Sequence, residues 1–173
     1  QTGAGWIPPA KVALIGNEVL RQCDALDGVA DGVVNNYKKC NAIFADLPAN
    51  STSAWSKIRC ASGTDEGNTC LSDAQIATLN QMHSFTSYKS LANGDTGFAG
   101  WPVGGEVRQL VGLSEAVWIN EATQPNATYN GVFGGTWWRG VITGDINFAA
   151  LNWDESKYSA QMLQSSQLAD PSN

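Results

Sequence analysis

The sequence predicts an α+β domain that is rich in loops, with a few short helices and a small antiparallel sheet. Two stretches carry apolar residues at helical spacing, Ala10–Gln22 and the segment that follows Ser72. One run, Thr136–Ile142, is rich in the aromatic and β-branched residues that favour strands. Much of the remaining chain is dense in Gly, Ser, Asn and Thr, which is typical of loops.

Length and composition indicate one folded domain over residues 1–173. A hydrophobic share of 43% argues against disorder. No apolar run approaches the roughly 20 residues of a membrane span. The first residues do not form a signal peptide, so we expect a mature or excised piece of a protein. A net charge of −6 suits neither nucleic acid nor an anionic membrane, and we expect neither as a partner.

The first predicted helix, Ala10–Gln22, follows two prolines, which suit the first turn of a helix. Apolar residues recur along it at intervals of three and four, so we expect one face to be buried. The second predicted helix begins after Ser72. Gln75 stands three residues later, which is the pattern of a capping box.

The second half of the chain gives weaker signals. Thr136–Ile142 predicts a strand, and Thr143–Asp145 predicts the turn that ends it. A short helix is expected over Glu115–Ala122, and a last helix is expected with Asp154 as its cap. The polar stretch Ser165–Asn173 is expected to fray.

The most informative stretch is acidic and lies between two cysteines. Asp24, Asp27 and Asp31 follow one another at spacings of three and four residues, and Gly28 and Gly32 come directly after the second and third. Carboxylate and backbone oxygens are the ligands that Ca²⁺ prefers, and glycine allows sharp turns between them. The pattern therefore indicates a calcium loop, with ordinary solvated Asp-Gly turns as the alternative.

Four cysteines without a CxxC pair argue against zinc and indicate two disulfides in an oxidising, secreted setting. Three pairings are possible on sequence grounds alone. Sequons at Asn50 and Asn126 suit the exposed loops of a secreted glycoprotein. The cysteines are Cys23, Cys40, Cys60 and Cys70.

The chain lacks the residues that serine ester chemistry requires. That chemistry needs a Gly-x-Ser-x-Gly turn together with an acid and a histidine. The nearest match, Gly112–Ala116, lacks its last glycine, and His83 is the one histidine. At the end of a predicted helix, His83 is best read as an ordinary helix-end residue. We therefore expect the chain alone to be non-catalytic.

The run Cys23–Val34, which reads CDALDGVADGVV and is followed by Cys40, resembles the calcium loop in the lid domain of the tannase and feruloyl esterase family. The specific part of the resemblance spans Ile7–Met82. It implies that calcium is bound by the side chains of Asp24, Asp27 and Asp31 and the carbonyls of Val29 and Val33.

The resemblance also implies the sequential disulfides Cys23–Cys40 and Cys60–Cys70. It implies that the whole chain is one lid domain, inserted in an α/β-hydrolase catalytic domain that carries the serine, aspartate and histidine. A lid of this family covers an aromatic, phenolic ester, so its partners would be that substrate and the catalytic domain.

Seven Trp residues make aromatic side chains the candidates for contact with such a substrate. Trp and Phe offer rigid apolar faces to a flat ring, although most Trp residues are core residues. Arg139 is a candidate for binding a carboxylate group of an aromatic acid, with a surface or structural ion pair as the alternative. The aromatic candidates are Phe98, Trp101, Trp118, Phe133, Trp137 and Trp138.

Two functional hypotheses follow. The first is a calcium-stabilised lid of a secreted tannase or feruloyl esterase-like enzyme, which shapes the pocket without catalysing. The alternative is a free-standing secreted binding module, for example for carbohydrate, with exposed Trp platforms and a structural calcium ion. A third hypothesis is a structural domain that calcium stabilises and that binds no other ligand.

Overall fold

A computed structural model of the protein describes residues 3–104, 135–149 and 153–169. Close approach of Cα atoms divides the chain into two compact units. The first unit comprises Gln1–Ser84 and Ala99–Tyr129, and the second comprises Phe85–Phe98 and Asn130–Asn173. Buried apolar side chains occur in both units, with most of the buried aliphatic residues in the first.

In the first unit, α1 (Val12–Cys23) occupies the stretch that the sequence predicts, with both ends shifted by one or two residues. The 3-10 turn Pro9–Lys11 leads into it, and proline supplies the φ that a helix start requires. Residues three and four apart face the core, so the helix is amphipathic. The buried residues of α1 are Val12, Ile15, Glu18, Val19 and Cys23.

The second helix, α2 (Tyr37–Phe44), lies in a stretch where the sequence analysis predicts no helix. Asn36 caps it, because its side-chain oxygen accepts a backbone N–H of the first turn. Cys40 lies inside the helix and ties it to α1. At the end of α2, Phe44 packs on Trp55, with the ring centroids 4.6 Å apart.

The third helix, α3 (Asp73–His83), confirms the predicted capping box. The Oγ of Ser72 accepts the N–H of Gln75 at 3.3 Å. In return, the Oε1 of Gln75 accepts the N–H of Ser72 at 3.0 Å. Ile76 and Leu79 lie on the buried face of this helix and are fully enclosed.

Both disulfides have the sequential pairing, Cys23–Cys40 and Cys60–Cys70. They span 17 and 10 residues of sequence, so each closes a short loop. On the chain-entropy model, a loop of this size stabilises the folded state by on the order of 3 kcal/mol. The second bridge lies beside an isolated parallel pairing of Arg59 with Leu71, which joins the loop to the start of α3.

Gln75 uses the full hydrogen-bonding capacity of its side chain. Its oxygen accepts from the Ser72 N–H and from the Lys11 ammonium, the latter at 2.9 Å. Its nitrogen donates to the Trp6 carbonyl at 2.8 Å and to the Asp65 carboxylate at 3.1 Å. Lys11 is fully buried and also donates to Asp65 at 3.0 Å. This network joins the N-terminal segment, the loop of the second disulfide and α3.

The second unit contains the small antiparallel sheet, which confirms the α+β class. β1 (Thr86–Ser87) pairs with β2 (Gly97–Phe98), which lies in a segment predicted to be loop. The last helix, α4 (Glu155–Ala169), begins directly after the predicted cap, Asp154. It includes residues 165–169, where the sequence predicts fraying, and Ser165 is buried there.

The strand predicted at Thr136–Ile142 is wrong, because this segment is helical. It contains the π-helical turn Trp138–Thr143, which Gly144 ends with a φ of +64° in the left-handed region. A short run of aromatic and β-branched residues does not by itself distinguish a strand from a buried helical turn. Tertiary packing decides here, since the ring of Trp138 lies 4.0 Å from that of Trp153.

Two expectations fall outside the described residues, namely the helix over Glu115–Ala122 and the tail beyond Ala169. Among the helices that the structure describes, none combines the length and the apolar character needed to cross a bilayer.

Replacing Gln75 with Ala should lower the free energy of unfolding by roughly 3 kcal/mol, because the Lys11 ammonium and the Ser72 N–H each lose a buried partner. Denaturant unfolding followed by circular dichroism measures this. Gln81→Ala, at an exposed position on the same helix, is the matched control and should change the value by less than about 0.5 kcal/mol. Equal effects of the two substitutions would contradict the role assigned to Gln75.

Candidate functional site

The acidic loop follows α1 without a break. The helix passes into the 3-10 turn Asp24–Asp27, and Gly28 ends that turn with a φ of +99°. Gly32 adopts a φ of +81° further along the loop. Glycine takes this left-handed backbone without the steric cost that a Cβ atom brings. The Cys23–Cys40 disulfide joins the start of the loop to α2, so the loop is fixed at both ends.

The carboxylates of the loop fold it back on itself. Asp24 spans the loop, since its Oδ1 accepts the N–H groups of Asp31 and Gly32 at 3.2 and 2.9 Å. Asp27 and Asp31 each accept the N–H group two residues further on, at 2.9 and 3.0 Å. The last two bonds are those of Asx turns. All of these bonds use the Oδ1 atom of the carboxylate.

These backbone contacts lower the pKa of Asp27. The N–H of Val29 is the largest cause, and the side chain of Asn35 is the next. A hydrogen bond to the charged form of a carboxylate favours that form. Asp27 is therefore anionic at neutral pH, which is the state that binds a cation.

The donor atoms of the loop fit a hard cation such as Ca²⁺ in kind, because all of them are oxygens. Within the part of the chain that the structure describes, the three aspartates do not form a group with ligand atoms within 4.8 Å of one another. The group that does so is Cys60, Glu66 and Cys70. Its two sulfur atoms form a disulfide, so that group offers no thiolate ligand.

The second unit contains a cavity of about 420 Å³, which is in the size range of small-molecule sites. Its walls combine aromatic and apolar side chains with a few polar groups. Three of the aromatic residues predicted from the sequence meet there, namely Phe98, Trp137 and Trp138. Tyr88, Asp95 and Met162 also line the cavity.

Two hydrogen-bonded clamps hold one wall of the cavity against α4. At the start of the helix, the Glu155 carboxylate accepts the N–H groups of Lys89 and Ser90 at 2.5 and 2.7 Å. Near its end, the Oγ of Ser166 accepts the N–H of Ala92 at 3.0 Å. Because both clamps act on the backbone, they fix the path of the chain between β1 and β2.

Tyr88 and Phe98 meet edge to face in this wall, with ring centroids 5.9 Å apart. Burial raises the pKa of the Tyr88 hydroxyl, and the nearby charge of Glu155 raises it further. The hydroxyl is therefore protonated at neutral pH and able to donate a hydrogen bond.

Trp138 packs at one end of a row of aromatic rings in the second unit. Trp138 lies 4.0 Å from Trp153, and Trp153 stacks on Tyr158 at 5.5 Å. Tyr158 in turn meets Phe148 edge to face at 5.7 Å. Trp137, the neighbour of Trp138 in sequence, is 46% exposed and presents its ring at the surface.

The other predicted site residues that the structure describes do not line this cavity. Trp101 belongs to the first unit and is 47% exposed. Arg139 donates through Nε to the carbonyl of Phe148 at 3.0 Å. Asn50 is exposed on a turn, as a glycosylation site requires. Trp118, Phe133 and Asn126 lie outside the described residues.

His83 is a buried residue of the first unit, with 2% of its surface exposed. Its Nδ1 lies 2.7 Å from the carbonyl oxygen of Trp101, and its ring stacks near Trp55 at 6.5 Å. The structure therefore places this histidine in the core, away from solvent.

The sequence analysis does not single out Tyr88, Asp95 or Met162 for the cavity. One usable signal is the pair Asn93-Gly94, because Asn-Gly favours a tight turn with two left-handed residues. Both residues have positive φ, 58° and 80°. Local sequence does not, however, connect that turn to a helix whose contact lies 74 residues further along the chain.

Comparison with known proteins finds relatives along almost the whole chain. A family model described as Tannase and feruloyl esterase matches residues 1–171. An uncharacterized esterase of Agrobacterium fabrum is 35% identical over 130 residues, which cover 73% of this chain and 22% of that protein. The mono(2-hydroxyethyl) terephthalate hydrolase of Piscinibacter sakaiensis is 28% identical over 151 residues, covering 83% of this chain and 22% of that protein.

Solved structures share the fold. An esterase from Aspergillus oryzae aligns with a TM-score of 0.63 at 22% identity, over 95% of this chain and 27% of that one. Feruloyl esterase B from Aspergillus oryzae aligns with a TM-score of 0.57 at 20% identity, over 99% of this chain and 28% of that one. The chain thus spans about a quarter of the length of the proteins it matches.

Acid should destabilise the acidic loop through Asp27. Because its pKa is lower in the folded state than in the unfolded chain, its charge contributes stability above the unfolded pKa, and that stability is lost as the pH falls through the folded pKa. Between about pH 7 and about pH 2.5, with chelator present, the wild type should lose more stability than Asp27→Asn. Denaturant unfolding across this range measures the loss. Identical profiles for the wild type and Asp27→Asn would contradict the assignment.

Proposed function

This chain belongs to the tannase and feruloyl esterase family, and we propose that it is the lid domain of a longer esterase. The lid would be inserted in an α/β-hydrolase catalytic domain and would cover an aromatic, phenolic ester. The observation that carries this proposal is the length of the chain compared with the length of its relatives. The family match runs over nearly the whole chain, whereas the chain spans about a quarter of its relatives.

The chemistry of the chain supports a non-catalytic role. Serine ester hydrolysis needs an activated nucleophile with a histidine base. The one histidine of the sequence, His83, is enclosed in the core of the first unit. All four cysteines are committed to disulfides. The lid would therefore shape the substrate pocket and exclude water from it. Both effects require that the lid covers the active site of a catalytic domain.

In this proposal the acidic loop binds calcium as a structural ion. The side chains of Val29 and Val33 are 56% and 53% exposed, so these positions serve the loop through their backbone and not through packing. The bound ion would neutralise the carboxylates and cross-link the turns of the loop. The groups that would hold it are the side chains of Asp24, Asp27 and Asp31 and the carbonyls of Val29 and Val33.

The cavity of the second unit is the proposed contact for the substrate ring. Phe98 and Trp137 are 60% and 46% exposed, and Trp138 lines the same space. Exposed rings of this size offer apolar area that a flat ligand can cover. In the first unit, Trp101 is a further candidate. Trp118 and Phe133 remain candidates outside the described residues, while the contact of Arg139 with a carbonyl favours a structural role.

A secreted location fits the covalent structure. Two disulfides require an oxidising environment in which to form and persist. Asn50 lies exposed within its sequon, where an oligosaccharide could be attached without disturbing the core. We include glycosylation at Asn50 and Asn126 in the proposal.

The alternative function, a free-standing carbohydrate-binding module with the same calcium loop, would use the same exposed rings. The coding sequence on either side separates the two. A Gly-x-Ser-x-Gly motif before Gln1, with an Asp and a His after Asn173, supports the lid. A stop codon directly after Asn173, with no hydrolase sequence upstream, supports the module.

Calcium should raise the thermal midpoint of the chain. A ligand that binds the folded state alone adds about 2.7 kcal/mol at a hundredfold excess over its Kd. Thermal melts after exhaustive chelation, with and without added calcium, measure the shift. Asp27→Ala should abolish most of it, whereas Asp145→Ala, at an exposed carboxylate of the second unit, should retain it. Equal midpoints with calcium and with chelator would remove the calcium assignment.

The chain alone should hydrolyse no aromatic ester, whereas the longer parent enzyme should. Methyl ferulate, methyl gallate and a nitrophenyl ester are the substrates to assay with both proteins. The physical reason is that the lid lacks an activated nucleophile. Positioning of the substrate and exclusion of water speed hydrolysis only where a catalytic domain supplies the active site. Turnover by the chain above background, lost in His83→Ala, would overturn the lid proposal.

A further inference from the structure

The cavity of the second unit has an electrostatic character of its own. Asp95 is the charged side chain among the described residues that line it. The other polar groups of the lining, such as the hydroxyls of Tyr88, Ser165 and Ser166, are neutral. Asp95 forms no ion pair with any described residue, so its negative charge acts on whatever enters the cavity.

The position of Asp95 is set by the backbone. Its N–H donates to the Ala92 carbonyl at 3.1 Å and closes the turn formed by Asn93 and Gly94. Ala92 is itself buried and bonded to Ser166 of α4. Asp95 is therefore held in the lining of the cavity by a tight turn that is anchored to the last helix.

The rings of the cavity act in the same direction as Asp95. The face of an aromatic ring is negative and its edge positive, so any ring face that lines the cavity attracts the edges of another ring and repels an anion. The chain as a whole carries a net charge of −6. Anions thus meet unfavourable charge both in the cavity and around it.

None of the described residues that line the cavity carries a positive charge. Arg139, which the sequence analysis offers as a partner for a carboxylate group, is not part of the lining, and its Nε is bonded to the Phe148 carbonyl. A ligand carboxylate that entered the cavity would meet Asp95 in place of a guanidinium. A phenolic hydroxyl would instead find an acceptor in the same place.

We propose that Asp95 is a specificity-determining residue of this cavity. It accepts a hydrogen bond from a hydroxyl on the substrate ring and disfavours rings that carry a carboxylate. This inference rests on the proposed function, in which the cavity receives the ring of an aromatic ester.

The test compares three ring probes on the 173-residue chain by NMR, following the indole N–H signals of Trp137 and Trp138. Resorcinol carries two hydroxyl donors, 1,3-dimethoxybenzene carries none, and 3-hydroxybenzoate replaces one hydroxyl with a carboxylate. Resorcinol should bind about fivefold tighter than each of the others, as expected for one charge interaction or hydrogen bond at a partly exposed site.

Asp95→Asn should bring the affinities for resorcinol and 3-hydroxybenzoate to within about twofold of each other, because it removes the charge and leaves the turn intact. Asp145→Asn, an exposed carboxylate of the same unit that is not part of the lining, should leave the wild-type ratio unchanged. The same spectra report whether each variant is folded. Added salt should lower the discrimination more in the wild type than in Asp95→Asn, because the variant retains only the repulsion by the rest of the chain.

The outcomes separate the two proposals. Equal affinities for the hydroxyl and carboxylate probes in the wild type, or a ratio that Asp95→Asn does not change, would overturn the role of Asp95 while leaving the cavity as a ring site. If no probe shifts the Trp137 and Trp138 signals, the assignment of the cavity to a substrate ring fails, and the role of Asp95 fails with it.

Discussion

The buried ammonium of Lys11 is the constraint on which the first unit depends. A charge removed from water is tolerated when it is paired and hydrogen-bonded, and Lys11 obtains both from Asp65 and Gln75. Gln75 also caps α3 and donates a hydrogen bond to the Trp6 carbonyl, so its one side-chain amide bonds to three segments of the chain. The arrangement that satisfies the charge therefore also fixes the N-terminal segment, the loop of the second disulfide and α3 relative to one another.

This constraint reaches the acidic loop through α1. The helix begins directly after Lys11 and ends at Cys23, where a disulfide fixes it to α2. The loop of Asp24–Gly32 thus starts from a rigid position, and its own carboxylate-to-backbone bonds set its turns. To share one calcium ion, the three carboxylates would come closer together, because their oxygens do not all lie within 4.8 Å of one another.

The second unit is built by different means. Stacked rings and two clamps on α4 hold it together, since it buries fewer aliphatic side chains than the first unit. Aromatic packing of this kind leaves ring faces uncovered, as at Phe98 and Trp137. The same side chains that stabilise the unit therefore form the cavity that we assign to the substrate ring. In a lid, a site of this kind can select a ligand without taking part in the chemistry.

The sequence by itself determined the features that depend on neighbours along the chain. Helix α1 and the capping box of α3 follow from residue spacing and local hydrogen bonding. The α+β class is confirmed, but by a sheet that lies outside the predicted strand. The resemblance of the acidic loop supplied the disulfide pairing. The tertiary structure decided the features that depend on contacts between residues distant in sequence. Trp138 became helical by packing on Trp153, and Asp95 joined the cavity because Ala92 is bonded to Ser166, which lies 74 residues away.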